Sequence, residues 1–187
     1  MGTLRLTGGT LRNRNVRTPS GRAVRPTPAR VKEALFSILS DRIVDAAVLD
    51  LFAGTGALGF EALSRGAAHT TFVEAHRPTA DALRATARDL GLTERTTVIA
   101  APAERAVHAV AGRFDVVFAD PPYAQAYPAG VFATLAARGA IDSASLVVYE
   151  HSARLAPPAD PALPLERAAV YGETALAFLR PEVRETP

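Results

Sequence analysis

Two short segments hold residue types suited to chemistry on a nucleobase. Residues 120–123 read Asp120-Pro121-Pro122-Tyr123 and close the apolar run FDVVFAD. An exocyclic amine on a base is a poor nucleophile, because its lone pair is delocalised into the ring. To react, it must be held in line with the bond that breaks, and its hydrogens must be accepted where positive charge develops. Asp120 and the Pro121 carbonyl can be those two acceptors. Pro122 helps fix the turn and keep that carbonyl outward, and Tyr123 can stack on a base flipped out of its helix. The second segment is DLFAGTGALGFEAL, residues 50–63, in which Gly54, Gly56 and Gly59 satisfy G-x-G-x-x-G. Such glycines let a backbone turn tightly and approach a ligand, with helix N–H groups directed at it. Glu74 lies about twenty residues further on, where an acid can accept hydrogen bonds from both hydroxyls of a ribose. The two segments together point to a nucleoside cofactor.

Both segments need strands and helices to position them. AVLDLF (47–52), TTFVEA (70–75), TTVIAA (96–101), FDVVFAD (114–120) and SLVVYEH (145–151) read as five buried strands. Helical stretches fall between them at 57–65, 78–90, 103–111 and 129–138. This alternation predicts an α/β protein with a mainly parallel sheet and helices on both faces. A Pro-rich connector, RLAPPADPALPL, precedes two closing strands at 165–171 and 175–180. Upstream, residues 3–7 and 10–17 alternate around Gly8-Gly9, which predicts a short β-hairpin. A helix is expected from Pro28, with Thr27 as its N-cap and Val31, Leu35, Phe36 and Leu39 on its buried face.

The 187 residues suit one domain, and 48% hydrophobic content is enough for a sizeable core, which excludes disorder throughout. Cysteine is absent, which excludes disulfides and thiol chemistry. No run approaches the roughly 18–20 apolar residues of a membrane span, and the start carries no apolar signal region, so the cytoplasm is the expected location. The net charge of +2 hides an asymmetry. Eight of the 21 bases (Arg5, Arg12, Arg14, Arg17, Arg22, Arg25, Arg30 and Lys32) precede the first acid, Glu33, leaving 13 bases against 19 acids in the remainder. A basic arm on an acidic body suggests a polyanionic partner, with Arg5, Arg12, Arg14, Arg17 and Arg22 as candidate nucleic-acid contacts.

In dinucleotide-binding proteins the first glycine usually follows its strand almost at once. Here Asp50, Leu51, Phe52 and Ala53 intervene, and the D-L-F-x-G-x-G form resembles S-adenosylmethionine-dependent methyltransferases. RPTPARVKEALF (25–36), DLFAGTGALGFEALSRGA, FVE, FDVVFADPPY and the late YGETALAFLR together resemble the RsmD family over nearly the whole chain. The resemblance implies transfer of a methyl group to the 2-amino group of one guanine in 16S ribosomal RNA, either naked or in a small-subunit assembly intermediate. It implies a Rossmann-like seven-stranded methyltransferase sheet, mostly parallel with the last strand reversed, plus a basic N-terminal β-hairpin that binds RNA. On this reading residues 1–27 are the arm, 28–180 the catalytic domain and 181–187 a flexible tail, in a protein expected to be monomeric and away from membranes. By matching position, Arg25 and Thr27 flank Pro26 in a loop beside the cofactor's amino acid end. Asp50, Phe52, Gly54 and Gly56 form the cofactor loop, Glu74 binds ribose, and Ala101 lies at the third strand's end. Asp120, Pro121, Pro122 and Tyr123 are the catalytic motif. Many such enzymes place an acid near the adenine amine where this chain has Ala100-Ala101-Pro102-Ala103, so adenine recognition falls to backbone groups or to Glu104.

Alternatives remain open at this stage. A DNA adenine or cytosine amino-methyltransferase faces the same chemical problem, but the chain shows no room for a target-recognition domain. A protein-amide or small-molecule enzyme does not explain the acid-free arm. A non-catalytic ribosome-assembly factor is compatible with Pro102. His69, His76, His108 and His151 lack metal-ligand spacing, and no metal is expected. Glu150 either lines the pocket or is structural, and Tyr171, Gly172 and Thr174 either contact RNA or form a turn.

Overall fold

The computed structural model describes residues 2–18, 28–122 and 126–182. Strand β1 (Gly2–Arg5) pairs antiparallel with β2 (Asn15–Thr18). Helix α1 (Ala29–Leu39) follows, and then β3 (Ala47–Leu51), α2 (Ala57–Ser64), β4 (His69–Val73) and α3 (Arg77–Asp89). Next come β5 (Thr96–Ile99), α4 (Ala103–Ala106), β6 (Val116–Ala119) and α5 (Ala129–Ala137). The chain closes with β7 (Leu146–Ser152), β8 (Leu165–Tyr171) and β9 (Thr174–Leu179). The main sheet has seven strands in the order β5-β4-β3-β6-β7-β9-β8. β5, β4, β3, β6 and β7 are parallel, and β9 runs antiparallel to both β7 and β8. This is the expected Rossmann-like sheet with its last strand reversed. Strand order turns back on itself between β3 and β6, and ligands bind such sheets at the carboxyl ends beside that switch point.

Alternation along the central strands sends side chains to two cores. Val48 and Phe118 pack with Val31, Leu35, Phe36 and Leu39 of α1, and Val148 joins them from β7. Leu49, Val117 and Val147 face the other way, against Val107, Phe132 and Leu135. A third core joins Leu6 and Val16 of the N-terminal extension to Phe60, Leu63, Phe72 and Leu83. Among the described residues no helix is long and apolar enough to cross a membrane.

The N-terminal extension differs from expectation in two ways. The hairpin forms, but its strands stop at Arg5 and resume at Asn15, so Gly8-Gly9 is not a tight two-residue turn. The loop is instead laid against the end of α2. Thr10 N–H donates to the Ser64 carbonyl at 2.7 Å, Leu11 N–H donates to Ser64 Oγ at 2.9 Å, and Ser64 Oγ donates to the Gly8 carbonyl at 2.6 Å. A Cβ at Gly9 would collide with the Ser64 carbonyl, and its φ of 75° is left-handed, so glycine serves docking as well as bending. The second difference is Lys32, counted by charge among the arm's bases. It is 1% exposed on the buried face of α1 and faces Glu61, itself 0% exposed, at 3.7 Å. Lys32 Nζ also donates to the Arg5 carbonyl at 3.1 Å. Glu61 Oε1 accepts from Thr7 Oγ1 at 2.7 Å and from Arg65 Nε at 3.0 Å, and Oε2 accepts the Thr7 N–H at 2.9 Å. Burial pushes the Lys32 ammonium below lysine's usual value, and the charge and hydrogen bond of Glu61 oppose that push.

Smaller differences sit at element ends. Pro28, not Thr27, is the residue before the first helical position of α1, and Thr27 lies outside the described residues. α4 stops at Ala106 rather than running to 111, and the chain turns so that Val107 and Val110 both reach the core. The Pro-rich connector holds only one bridge among the described residues, Asp160 with Leu163.

Removing one partner of a buried ion pair costs about 3–5 kcal/mol, because the other charge is stranded. Glu61→Ala is therefore expected to lower stability by about that amount, and Lys32→Met in the same background to recover part of it. Urea unfolding of the three proteins checks this, and a double variant no more stable than Glu61→Ala would show that Lys32 is not the stranded charge.

Candidate active site at the carboxyl ends of the strands

Asp50 lies on β3 with its side chain on the α1–α2 face, and it is 4% exposed. Its Oδ2 accepts the Gly59 N–H at 2.9 Å, tying the strand to α2. Burial pushes its carboxyl up to about 8, the Gly59 hydrogen bond opposes the shift, and the charge of Glu74 adds to it. Beyond β3 the chain takes left-handed backbone at Phe52 (φ 59°), Gly54 (53°) and Gly56 (75°) before α2 begins. A Cβ at Gly56 would come within 2.5 Å of Leu83 and 2.8 Å of Phe60, so the loop closes tightly only with glycine there.

Glu74, just past β4, staples this loop. Its Oε2 accepts the Gly54 N–H at 2.9 Å, and its Oε1 accepts the His76 N–H at 2.7 Å. Each carboxylate oxygen has a second acceptor position, so the stapled group still has capacity for a diol. Ala101 is half-buried and packs on the α4–α5 core, and Pro102 precedes the first residue of α4. Glu104 is exposed and lines a cavity of about 550 Å³ with Phe52, Val107, Tyr127 and Val131.

Asp120 follows β6 directly. Burial, then the charge of Glu150, then that of Asp50 hold its carboxyl well above the usual carboxylate range. Pro121 is buried and Pro122 exposed, while Tyr123 lies outside the described residues. The chain is anchored again at Tyr127. Its hydroxyl donates to Asp160 Oδ2 at 3.1 Å, and its ring packs edge-on against Tyr149 with centroids 5.2 Å apart. Burial first, then Asp160, raise the Tyr127 phenol above its ordinary value. No sequence pattern marked Tyr127 or Asp160, because nothing local signals a contact across the Pro-rich connector.

The fold thus brings Asp50, Gly54, Gly56, Glu74, Asp120 and Pro121 to one rim, with Phe52 and Ala101 packed beside it. On the extension, Arg5, Arg12 and Arg14 are exposed, and Arg14 donates to the Asp89 carbonyl at the end of α3 at 3.2 Å. Arg17 belongs to β2. The side chain of Arg17, together with Arg22, Arg25 and Thr27, lies outside the described residues.

A doubly wound sheet, a glycine loop on its first central strand and an Asp-Pro-Pro turn on the next define a Rossmann-like methyltransferase. Known proteins agree and narrow the class. The family described as conserved hypothetical protein 95 matches residues 4–180. The chain is 33% identical over 192 residues to ribosomal RNA small subunit methyltransferase D of Escherichia coli K12, covering 98% of this chain and 92% of that protein. YlbH of Bacillus subtilis strain 168 is 32% identical over 181 residues, covering 95% and 98%. The solved structure of yhhF from Escherichia coli superposes with a TM-score of 0.86 at 33% identity, covering 98% of this chain and all of that one. The chain belongs to the RsmD family.

The raised Asp50 carboxyl makes stability depend on pH. Folded, it holds its proton up to about 8, whereas unfolded it ionises near the ordinary 3.8. Its contribution is therefore full below that lower value and is lost as pH rises towards 8, a change on the order of a few kcal/mol. Asp50→Asn removes this slope and is expected to be the more stable protein near pH 8. Urea titrations at about pH 5 and about pH 8 read the difference, and parallel profiles would mean that Asp50 is already charged in the fold.

Proposed function

We propose that this protein transfers a methyl group from S-adenosylmethionine to the 2-amino group of a guanine in 16S ribosomal RNA, as naked RNA or in a small-subunit assembly intermediate. The observation that carries the reading is the Asp120-Pro121-Pro122 turn at the sheet's switch point, one strand away from the Gly54–Gly56 loop held by Glu74. The name of the Escherichia coli relative supports ribosomal RNA as the substrate.

The residues fit the cofactor. Glu74 offers acceptors to a ribose, and Gly56 leaves no room for a side chain where the loop closes. Asp50 and Asp120 make an acidic wall suited to a cation. Bound there, S-adenosylmethionine supplies an electrophilic methyl group on a positively charged sulfur. A positive charge there favours the ionised forms of Asp50 and Asp120, against the burial that pushes both carboxyls towards the protonated form. Asp120 and the Pro121 carbonyl then accept the two hydrogens of the amine and hold its nitrogen in line. With the nitrogen so held, the Asp120 carboxylate would take up the proton that it sheds on methylation. Tyr123 stacks on the base. Residues 1–27 form the RNA-binding arm, in which Arg5, Arg12, Arg14, Arg17 and Arg22 contact phosphates, and residues 28–180 form the catalytic domain of a monomer. Arg25 and Thr27 border the cofactor, as do Phe52 and Ala101.

Labelled S-adenosylmethionine and unmodified small-subunit RNA are expected to give labelled 2-methylguanosine by nucleoside mass spectrometry. Label on another base, or none while the cofactor binds, would overturn the assignment. Asp120→Ala is expected to abolish transfer while S-adenosylhomocysteine still binds calorimetrically, and retained turnover would remove Asp120 from the chemistry.

Neutralising Arg12, Arg14 and Arg17 is expected to weaken RNA binding. It should also flatten the log–log salt dependence by up to about 0.7–0.9 per lost phosphate contact. An unchanged slope would take the arm out of the interface.

A further inference from the structure

We infer that Glu150 selects guanine. Its carboxylate accepts the ring N1–H while Asp120 and the Pro121 carbonyl hold the neighbouring 2-amino group. The inference deepens the proposed function and rests on that reading of the methyl acceptor.

The placement follows from the sheet. β6 and β7 run parallel with Phe118 opposite Val148 and Ala119 opposite Tyr149, so residues 120 and 150 stand side by side at the next step. Phe118 and Val148 both pack in the core against α1. Side chains on a strand alternate, so Asp120 and Glu150, two residues on, turn to that same face. Glu150 is 5% exposed, which is unusual for an acid, and its charge is felt at the Asp120 carboxyl. A carboxylate has about four acceptor positions, so a partner on one oxygen orients the group without filling it.

Base chemistry supplies the selectivity. Guanine presents N1–H beside its 2-amino group, so two adjacent donors can meet two adjacent carboxylates. Adenine and cytosine present an unprotonated ring nitrogen beside their amines. That lone pair would face Glu150 and be repelled. A buried site built to accept an N–H rejects an analogue that lacks it far more strongly than an apolar pocket rejects a missing methylene.

The test is a small-subunit RNA carrying 2-aminopurine at the guanine identified by labelled transfer. This base keeps the 2-amino group and lacks the N1 hydrogen. The wild-type enzyme is expected to methylate guanine over 2-aminopurine by on the order of a hundredfold in kcat/KM. In Glu150→Gln the side-chain amide can donate to the bare N1, so the ratio should collapse towards one, with the 2-aminopurine rate rising in absolute terms. S-adenosylhomocysteine binding to the variant checks that the site is intact. A ratio unchanged by the substitution, with both rates falling together, would make Glu150 structural and overturn the inference alone. A wild-type ratio near one would overturn it whether or not the variant folds. No transfer to guanine by the wild type would overturn the proposed function along with it.

Discussion

Negative charge crowded at the carboxyl ends of β3, β4, β6 and β7 is the constraint on which this structure turns. Asp50, Glu74 and Glu150 are buried, and Asp120 sits among them. Charges that close in a poorly hydrated place cannot all persist unless cations or donors compensate them. Glu74 is compensated by two backbone N–H groups. Asp50 has one such donor and Asp120 receives none from the described residues, and both carboxyls are pushed towards the protonated form. The site thus carries an electrostatic cost that a nearby positive charge would relieve.

Glu61 shows the opposite solution with the same chemistry. It is more deeply buried than Asp50, yet Lys32, Arg65 and Thr7 surround its carboxylate with charge and donors. One acid therefore acts as a strut and the other is left short of partners, and the difference lies in what each is given. Charge count alone could not separate them. In the sequence Lys32 is the last base of an acid-free arm, whereas in the fold it points inward, while Arg5, Arg12 and Arg14 stay exposed.

What was legible in the sequence followed from local rules. The seven strands of the sheet and the helices between them were readable because apolar runs, helical periodicity and turn residues agree over whole segments. The reversed final strand came from the family resemblance, and the sheet bears it out. The glycine loop and the Asp-Pro-Pro turn were legible because each has few backbone solutions. The docking of residues 6–14 on α2 was not, since Gly8-Gly9 reads as a hairpin turn whether or not a helix lies against it. The Tyr127–Asp160 bond was hidden for the same reason, as α5 and β7 lie between its two residues and Asp160 sits within the irregular connector. Contacts between elements, not the elements themselves, escaped the reading.

Those contacts tie the N-terminal extension to the strand ends. α2 begins at Ala57, directly after Gly56 of the glycine loop, and ends at Ser64, which the extension grips through Gly8, Thr10 and Leu11. Gly59 N–H holds Asp50 from the first turn of the same helix, and Glu61 holds Thr7 about one half-turn later. A helix of two turns cannot flex between such anchors without breaking buried bonds. The basic surface at Arg5, Arg12 and Arg14 and the loop beneath the switch point are therefore joined through α2. An RNA seated on that surface would be registered against the Asp120 turn by α2 itself, with β3 and β6 completing the frame.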